Sequence, residues 1–143
     1  NGIELEERGY VSTDAYGRTN VEGVWALGDI TPGHALAHRA FEQGITIAET
    51  IAGLDPKPVS DETVPQVVFS FPEAASVGLA LDDAKSCETI INPQETAYPM
   101  LSNSRMLMSG EGGSMTIVSG AQAGAPDVPL VLGVHIVSRS PAI

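Results

Sequence analysis

The sequence predicts an α/β segment followed by an α+β domain with a mostly antiparallel sheet, and three observations carry that prediction. A short apolar run ends on Gly28-Asp29 and is followed, after one further loop, by a long amphipathic stretch, the pattern of a strand feeding a helix. Residues 54–63 are polar, acidic and contain Pro56 and Pro58, as a connection between domains would be. Beyond them come short β-prone runs separated by Pro, Gly and Asn. The predicted organisation is therefore 1–53, a linker at 54–63, and a second domain at 64–143.

Residues 1–53 read as strand, turn, strand, helix. Tyr10-Val11-Ser12-Thr13 is β-prone and stops at Asp14. Val24-Trp25-Ala26-Leu27 is continuously apolar between Gly23 and Gly28, as a strand covered on both faces would be. In residues 36–52 the polar positions Arg39, Glu42, Gln43, Thr46, Glu49 and Thr50 recur near every 3.5 residues, and apolar positions fill the rest, which predicts an amphipathic helix. Gly53 supplies its C-terminal stop, with Pro56 and Pro58 beyond.

In the second domain, strands are expected over 66–71, 75–79, 89–91, 114–118 and 130–137, with a short helix over 82–87. Residues 119–129, rich in Gly and Ala, read as a long hairpin loop. The run Val67-Val68-Phe69 is too apolar for a water-facing edge, so both faces of that strand are expected to be covered, a partner subunit being one possible cover.

Composition narrows the function. Apolar residues make up 43% of the chain, enough for a core, and no run approaches the roughly 20 residues of a membrane span. Asn1-Gly2-Ile3-Glu4 has neither the basic start nor the apolar middle of a signal peptide, so the cytoplasm is the expected compartment. A net charge of -11 argues against a nucleic-acid backbone as partner. The single cysteine, Cys87, rules out an intrachain disulfide or dithiol pair within this chain. The three histidines lack the spacing of a metal site, and no Ser/His/Asp set can be argued from their positions, so no metal ligand and no catalytic residue is assigned. His135, inside an apolar strand, reads as a packed histidine.

Two features could bind a ligand. Asp29 lies just past a buried strand and after a glycine that lets the backbone approach closely; its carboxylate could accept hydrogen bonds from ligand hydroxyls. The alternative is a Gly-Asp turn whose carboxylate bonds its own backbone. At Ala35, Leu36, Ala37 and His38 the helix begins, and its unpaired N–H groups and dipole present partial positive charge beside small side chains. The alternative there is simple packing of the helix.

The residues Thr19-Asn20-Val21-Glu22-Gly23-Val24-Trp25-Ala26-Leu27-Gly28-Asp29, followed by Ala35-Leu36-Ala37-His38-Arg39-Ala40, resemble the FAD-dependent pyridine nucleotide-disulfide oxidoreductases, and within them the dihydrolipoamide dehydrogenases. The resemblance continues through Val64-Pro65-Gln66-Val67-Val68-Phe69-Ser70-Phe71-Pro72-Glu73-Ala74-Ala75-Ser76-Val77-Gly78-Leu79, Asp82-Asp83-Ala84-Lys85, Asn103-Ser104-Arg105 and Leu132-Gly133-Val134-His135-Ile136-Val137. It runs over residues 1–137 and matches only the later-middle part of such an enzyme. It implies that 1–53 is the C-terminal part of an FAD-binding domain and that 64–143 is a C-terminally truncated dimerisation domain. It also implies cofactor contacts at Gly28, Asp29, Ala35, Leu36, Ala37 and His38, with Asp29 on the ribityl hydroxyls and the helix start against the flavin. The implied parent reaction oxidises protein-bound dihydrolipoamide through FAD and a redox disulfide, with NAD as acceptor. A homodimer formed from Val64 onward and lipoyl-bearing dehydrogenase complexes are the implied partners.

Departures from the family pattern set limits. Ala80 stands where a capping Thr is usual, a loss of about 1 kcal/mol for the short helix that follows. Ser138-Arg139-Ser140-Pro141-Ala142-Ile143 replaces the expected continuation into a helix. The sequence holds no Cys-x4-Cys pair, no Gly-x-Gly-x-x-Gly fingerprint and no C-terminal His-Pro with a downstream Glu, so the chain alone is expected to be inactive. The rival readings are a sister enzyme of the glutathione, mycothione or mercuric reductase type, and a non-catalytic acidic interaction module.

Overall fold

A computed structural model of the chain describes residues 2–110 and 112–139. The end of the tail, residues 140–143, where the sequence leaves the family pattern, lies outside them. The chain forms two compact units, Asn1–Val64 and Pro65–Ile143.

The first unit holds one long helix, α1, Ala37–Ile51. It ends as the glycine predicts: Gly53 takes φ +78°, its N–H donates to the Thr50 carbonyl, and the Leu54 N–H donates to the Glu49 carbonyl, both at 3.0 Å. This is the Schellman pairing, which satisfies carbonyls the helix leaves open. The face that α1 buries is the reverse of the expected one. Arg39, Thr46 and Ile47 are its buried residues, whereas Phe41 is 73% and Ile45 52% exposed. Periodicity identifies an apolar stripe without identifying its cover, and residues 1–64 do not supply one.

The two expected strands of this unit do not form a ladder. Val11 and Trp25 each make one isolated bridge, to Leu5 and Arg18. Val24-Trp25-Ala26-Leu27 runs extended along Gly17 and Thr19, with Ala26 N–H to Gly17 O at 2.9 Å and Thr19 N–H to Val24 O at 3.1 Å. Ala26 is buried but Leu27 is exposed, so the run is covered on one side only. A strand needs hydrogen-bonding neighbours as well as apolar residues, and here it has one short neighbour. The last element of the unit is a 3-10 turn at Asp61–Thr63.

The second unit is a five-stranded, fully antiparallel sheet with three short added turns or helices. Its strands are β1 (Gln66–Val68), β2 (Glu73–Gly78), β3 (Ile90–Pro99), β4 (Gly113–Gln122) and β5 (Ala125–Ser138), in the order β1-β2-β5-β4-β3. Helix α2 (Leu81–Ser86) follows β2 and buries Ala84 completely. As expected from Ala80, its N-terminus has no side-chain cap; Asp82 and Asp83 in the first turn and Lys85 in the last complement the helix dipole instead. A 3-10 turn at Met100–Ser102 leads into helix α3 (Ser104–Ser109), which the sequence pattern did not predict. The core of the unit centres on β4: Val118 is fully buried, with Ala121 and, from α3, Met106 nearly so.

Two sequence expectations for this unit are corrected. Residues 119–129 are not a long loop: β4 continues to Gln122, the turn is Ala123-Gly124, and β5 starts at Ala125. Glycine lets the strands lie close there: a Cβ on Gly120 would lie 3.0 Å from Leu132 Cδ1 and 3.2 Å from the Ile91 carbonyl, a tight fit. The expected strand at 66–71 is cut to Gln66–Val68 and is an edge, leaving Val68, Phe69 and Phe71 exposed, Phe69 at 77%. The cover inferred from their apolar character is not provided by the chain itself.

Candidate cofactor-binding site

Gly28, Asp29 and Ile30 form a 3-10 turn directly after the extended run. Gly28 has φ +70°, and a Cβ there would sit 3.3 Å from Ala40 Cβ, so glycine allows this turn to lie against the first turns of α1. Its backbone is tied at both ends. The N–H donates to Gln43 Oε1 at 2.8 Å, and the carbonyl accepts from the Thr31 N–H at 3.0 Å and the Thr31 hydroxyl at 2.8 Å. Asp29 is thus presented from a turn anchored on α1.

The Asp29 side chain is exposed, and among the described residues no hydrogen bond or ion pair engages its carboxylate. The alternative of a carboxylate bonded to its own turn does not hold. A free carboxylate has acceptor capacity for hydroxyl groups and nothing to donate. Nearby, Leu36 is the N-cap of α1 with extended φ and ψ and makes no side-chain cap bond. Ala35, Ala37 and His38 are exposed and Leu36 is half-buried, so the first turn of the helix is open to a ligand.

The sequence did not single out the pair that supports this region. Arg39, in the first turn of α1, donates through Nε to Asp61 Oδ1 and through Nη2 to the Pro32 carbonyl at 2.6 Å. The partners are 22 residues apart, and only Arg39's place among the polar positions of the helix hinted at it.

Two further residues have their surroundings defined. His135 is a packed histidine, with Nδ1 2.7 Å from Ser76 Oγ and Nε2 3.1 Å from the Leu79 carbonyl. A proton on Nε2 satisfies both contacts, with the Ser76 hydroxyl donating to Nδ1. Cys87 lies half-buried, its Sγ 3.2 Å from Thr89 Oγ1. Among the described residues no group of three or more His, Cys, Asp or Glu side chains could hold a metal ion, and no helix is long and apolar enough to cross a membrane.

Comparison with known proteins adds the family. A profile described as pyridine nucleotide-disulphide oxidoreductase matches residues 1–44. Dihydrolipoyl dehydrogenases from Zymomonas mobilis and Bacillus subtilis are 36% and 39% identical to the chain over 95% and 97% of its length. The chain belongs to the pyridine nucleotide-disulphide oxidoreductase family. It spans 28% of the length of each of those two relatives. The crystal structure of LpdA from Mycobacterium tuberculosis superposes with a TM-score of 0.81 at 28% identity, over 96% of this chain and 29% of that one. The HOCl-induced flavoprotein disulfide reductase RclA from Escherichia coli, in its Cu(II) complex, shares the fold, with a TM-score of 0.77 at 21% identity over 98% of this chain and 31% of RclA. Members of the pyridine nucleotide-disulphide oxidoreductase family depend on FAD and NAD.

The residues present fit part of an FAD. They offer a free exposed carboxylate, an uncapped helix start and small side chains beside it. The Gly-x-Gly-x-x-Gly turn that would cradle a pyrophosphate is absent from the sequence.

Proposed function

We propose that this chain is the part of a dihydrolipoyl dehydrogenase that holds the ribityl and flavin side of FAD and pairs two subunits through its antiparallel sheet. The observation that carries the reading is the match to dihydrolipoyl dehydrogenases across both units, 36 to 39% identical over 95 to 97% of the chain. Bound FAD supplies two-electron transfer from the dithiol of protein-bound dihydrolipoamide, by way of a redox disulfide, to NAD. This chain's own part is to bind and orient. Gly28 sets the backbone so that the Asp29 carboxylate accepts hydrogen bonds from the ribityl hydroxyls, and Ala35, Leu36, Ala37 and His38 bring the positive end of α1 against the flavin. Residues 1–53 belong to the FAD-binding domain, 54–63 are the linker, and 64–143 form the dimerisation domain. The reading carries a homodimer, supported by the exposed apolar edge at Val68, Phe69 and Phe71, a cytoplasmic location, and lipoyl-bearing dehydrogenase complexes as partners.

The test uses the complete gene product that carries these residues. It should purify with bound flavin and form NADH when given dihydrolipoamide and NAD. Replacing Asp29 with Ala should weaken FAD binding by about tenfold to a hundredfold, the range expected when hydrogen bonds to a charged group are lost. A product without flavin would instead favour the acidic interaction module. A flavin-loaded product that ignores dihydrolipoamide and reduces another disulfide would favour a sister reductase.

A further inference from the structure

The Arg39 side chain is almost fully buried, 7% exposed, and its guanidinium holds two separate stretches of the first unit. Nε and Nη2 face the Asp61 carboxylate, with Nη2 3.5 Å from Oδ2, while Nη2 also donates to the Pro32 carbonyl. Nη1 is buried with no acceptor among the described residues, so the pair with Asp61 is what balances this desolvated charge. Gly33, at φ +113°, passes so close that a Cβ there would lie 2.3 Å from both Arg39 Nη2 and Asp61 Oδ2. The loop between Asp29 and the start of α1 is therefore moulded onto the ion pair. The start of the helix has neither a side-chain cap nor an acidic residue in its first turn, and the Leu36 N–H donates to the His34 carbonyl at 3.0 Å.

We propose that Arg39 and Asp61 are positioning residues for the FAD site, fixing the loop 32–34 and with it the spacing between the Asp29 carboxylate and the Ala35-to-His38 helix start. The inference rests on the FAD reading given above. A buried guanidinium held at two points keeps one geometry where an exposed one would sample many. Loosening it leaves each cofactor contact in place chemically but displaces the two sets relative to each other, and such supporting contacts decide how tightly a site holds its ligand.

The test measures FAD release from the complete holoprotein, followed by the rise of free-flavin fluorescence, together with the visible absorption bands of the bound flavin. Arg39→Met and Asp61→Asn should each release FAD about tenfold faster and shift the bound-flavin bands, an effect in the range of supporting residues. Arg39→Lys should recover only part of the wild-type rate, because it keeps the charge opposite Asp61 but not the guanidinium's second contact, to the Pro32 carbonyl. Gly33→Ala should act in the same direction with both charges intact, and it serves if Arg39→Met does not fold. Gly53→Ala is the control, since it weakens the other end of α1 with no neighbour within 4 Å of the added Cβ. Wild-type release rates and unshifted bands in Asp61→Asn and Gly33→Ala would overturn the proposal, as would a Gly53→Ala effect equal to theirs. A wild-type protein that holds no FAD would overturn the FAD reading itself, a result distinct from either.

Discussion

Gln43 Oε1 accepts the backbone N–H of Gly28 at 2.8 Å, so a side chain from the second turn of α1 holds the residue that precedes Asp29. Gly28 is buried, and its N–H has no solvent to turn to if the amide is removed. Gln43→Leu should therefore lower stability by about 1–3 kcal/mol, the cost of a buried unpaired donor. Gln43→Glu keeps an acceptor and should lose much less. Urea midpoints of the two variants give the comparison; equal losses would mean that packing, and not this bond, accounts for the effect.

Gly28→Ala tests the same turn from the backbone side. Its φ of +70° disfavours any side chain, and the new methyl would meet Ala40 Cβ at 3.3 Å. A loss of about 1–2 kcal/mol is expected from the left-handed conformation alone. Thermal unfolding should show it, whereas Gly23→Ala, at φ +76° with nothing within 4 Å, should show the conformational part without the crowding. The difference between the two variants measures how tightly the turn sits on α1.

What the sequence disclosed about these regions depended on how local the cause was. Helix α1 was legible because fifteen residues repeat one pattern and Gly53 closes it through its own neighbours. Its buried face was not, because Arg39 turns inward onto Asp61 and Ile47 packs at Gly17, both far away in sequence. The antiparallel character of the second unit was legible from its short β-prone runs. The extension of β4 and β5 through 119–129 was not, since neighbours on both sides of β4 make a Gly- and Ala-rich segment into strand against its composition. Helix α3 was hidden in a short apolar run, Met106-Leu107-Met108, that has no length for a period. For the candidate site, Asp29 and the helix start stood out as a motif, while the anchors of that motif, Gln43 and the Arg39–Asp61 pair, are tertiary facts.

Gly78 and Gly133 face each other across β2 and β5, and neither has room for a methyl group. A Cβ on Gly78, at φ +80°, would lie 2.2 Å from the Leu132 carbonyl, and one on Gly133 would lie 2.2 Å from the Leu79 carbonyl. Both obstacles are backbone, which cannot swing aside. Either glycine replaced by Ala should destabilise the sheet unit by about 2–5 kcal/mol through strain and overpacking. Gly112→Ala, with nothing within 4 Å, should stay within about 0.5 kcal/mol of wild type. Soluble yield and urea midpoints separate the three, and a tolerated Gly78→Ala would mean that β2 and β5 do not approach this closely.

Asp14 gives the fold a dependence on pH. Its carboxylate accepts the N–H groups of Tyr16 and Arg18 at 2.9 Å each and the Arg18 guanidinium at 3.1 Å. Partial burial works against ionisation, but those hydrogen bonds and the Arg18 charge outweigh it and hold the carboxyl below the usual carboxylate range. The unfolded chain then takes up the proton at higher pH than the folded one. The stabilisation is complete above the unfolded value and is lost as pH falls through it toward the lowered folded value. The carboxylate is half-exposed, with 45% of the Asp14 side chain accessible, so the effect is screened and should shrink in high salt. Asp14→Asn keeps an oxygen for the two N–H groups and loses the charge. The urea midpoint should therefore fall less steeply with acid in Asp14→Asn than in the wild-type chain. Parallel curves for the two proteins would show that the acid sensitivity comes from other carboxylates.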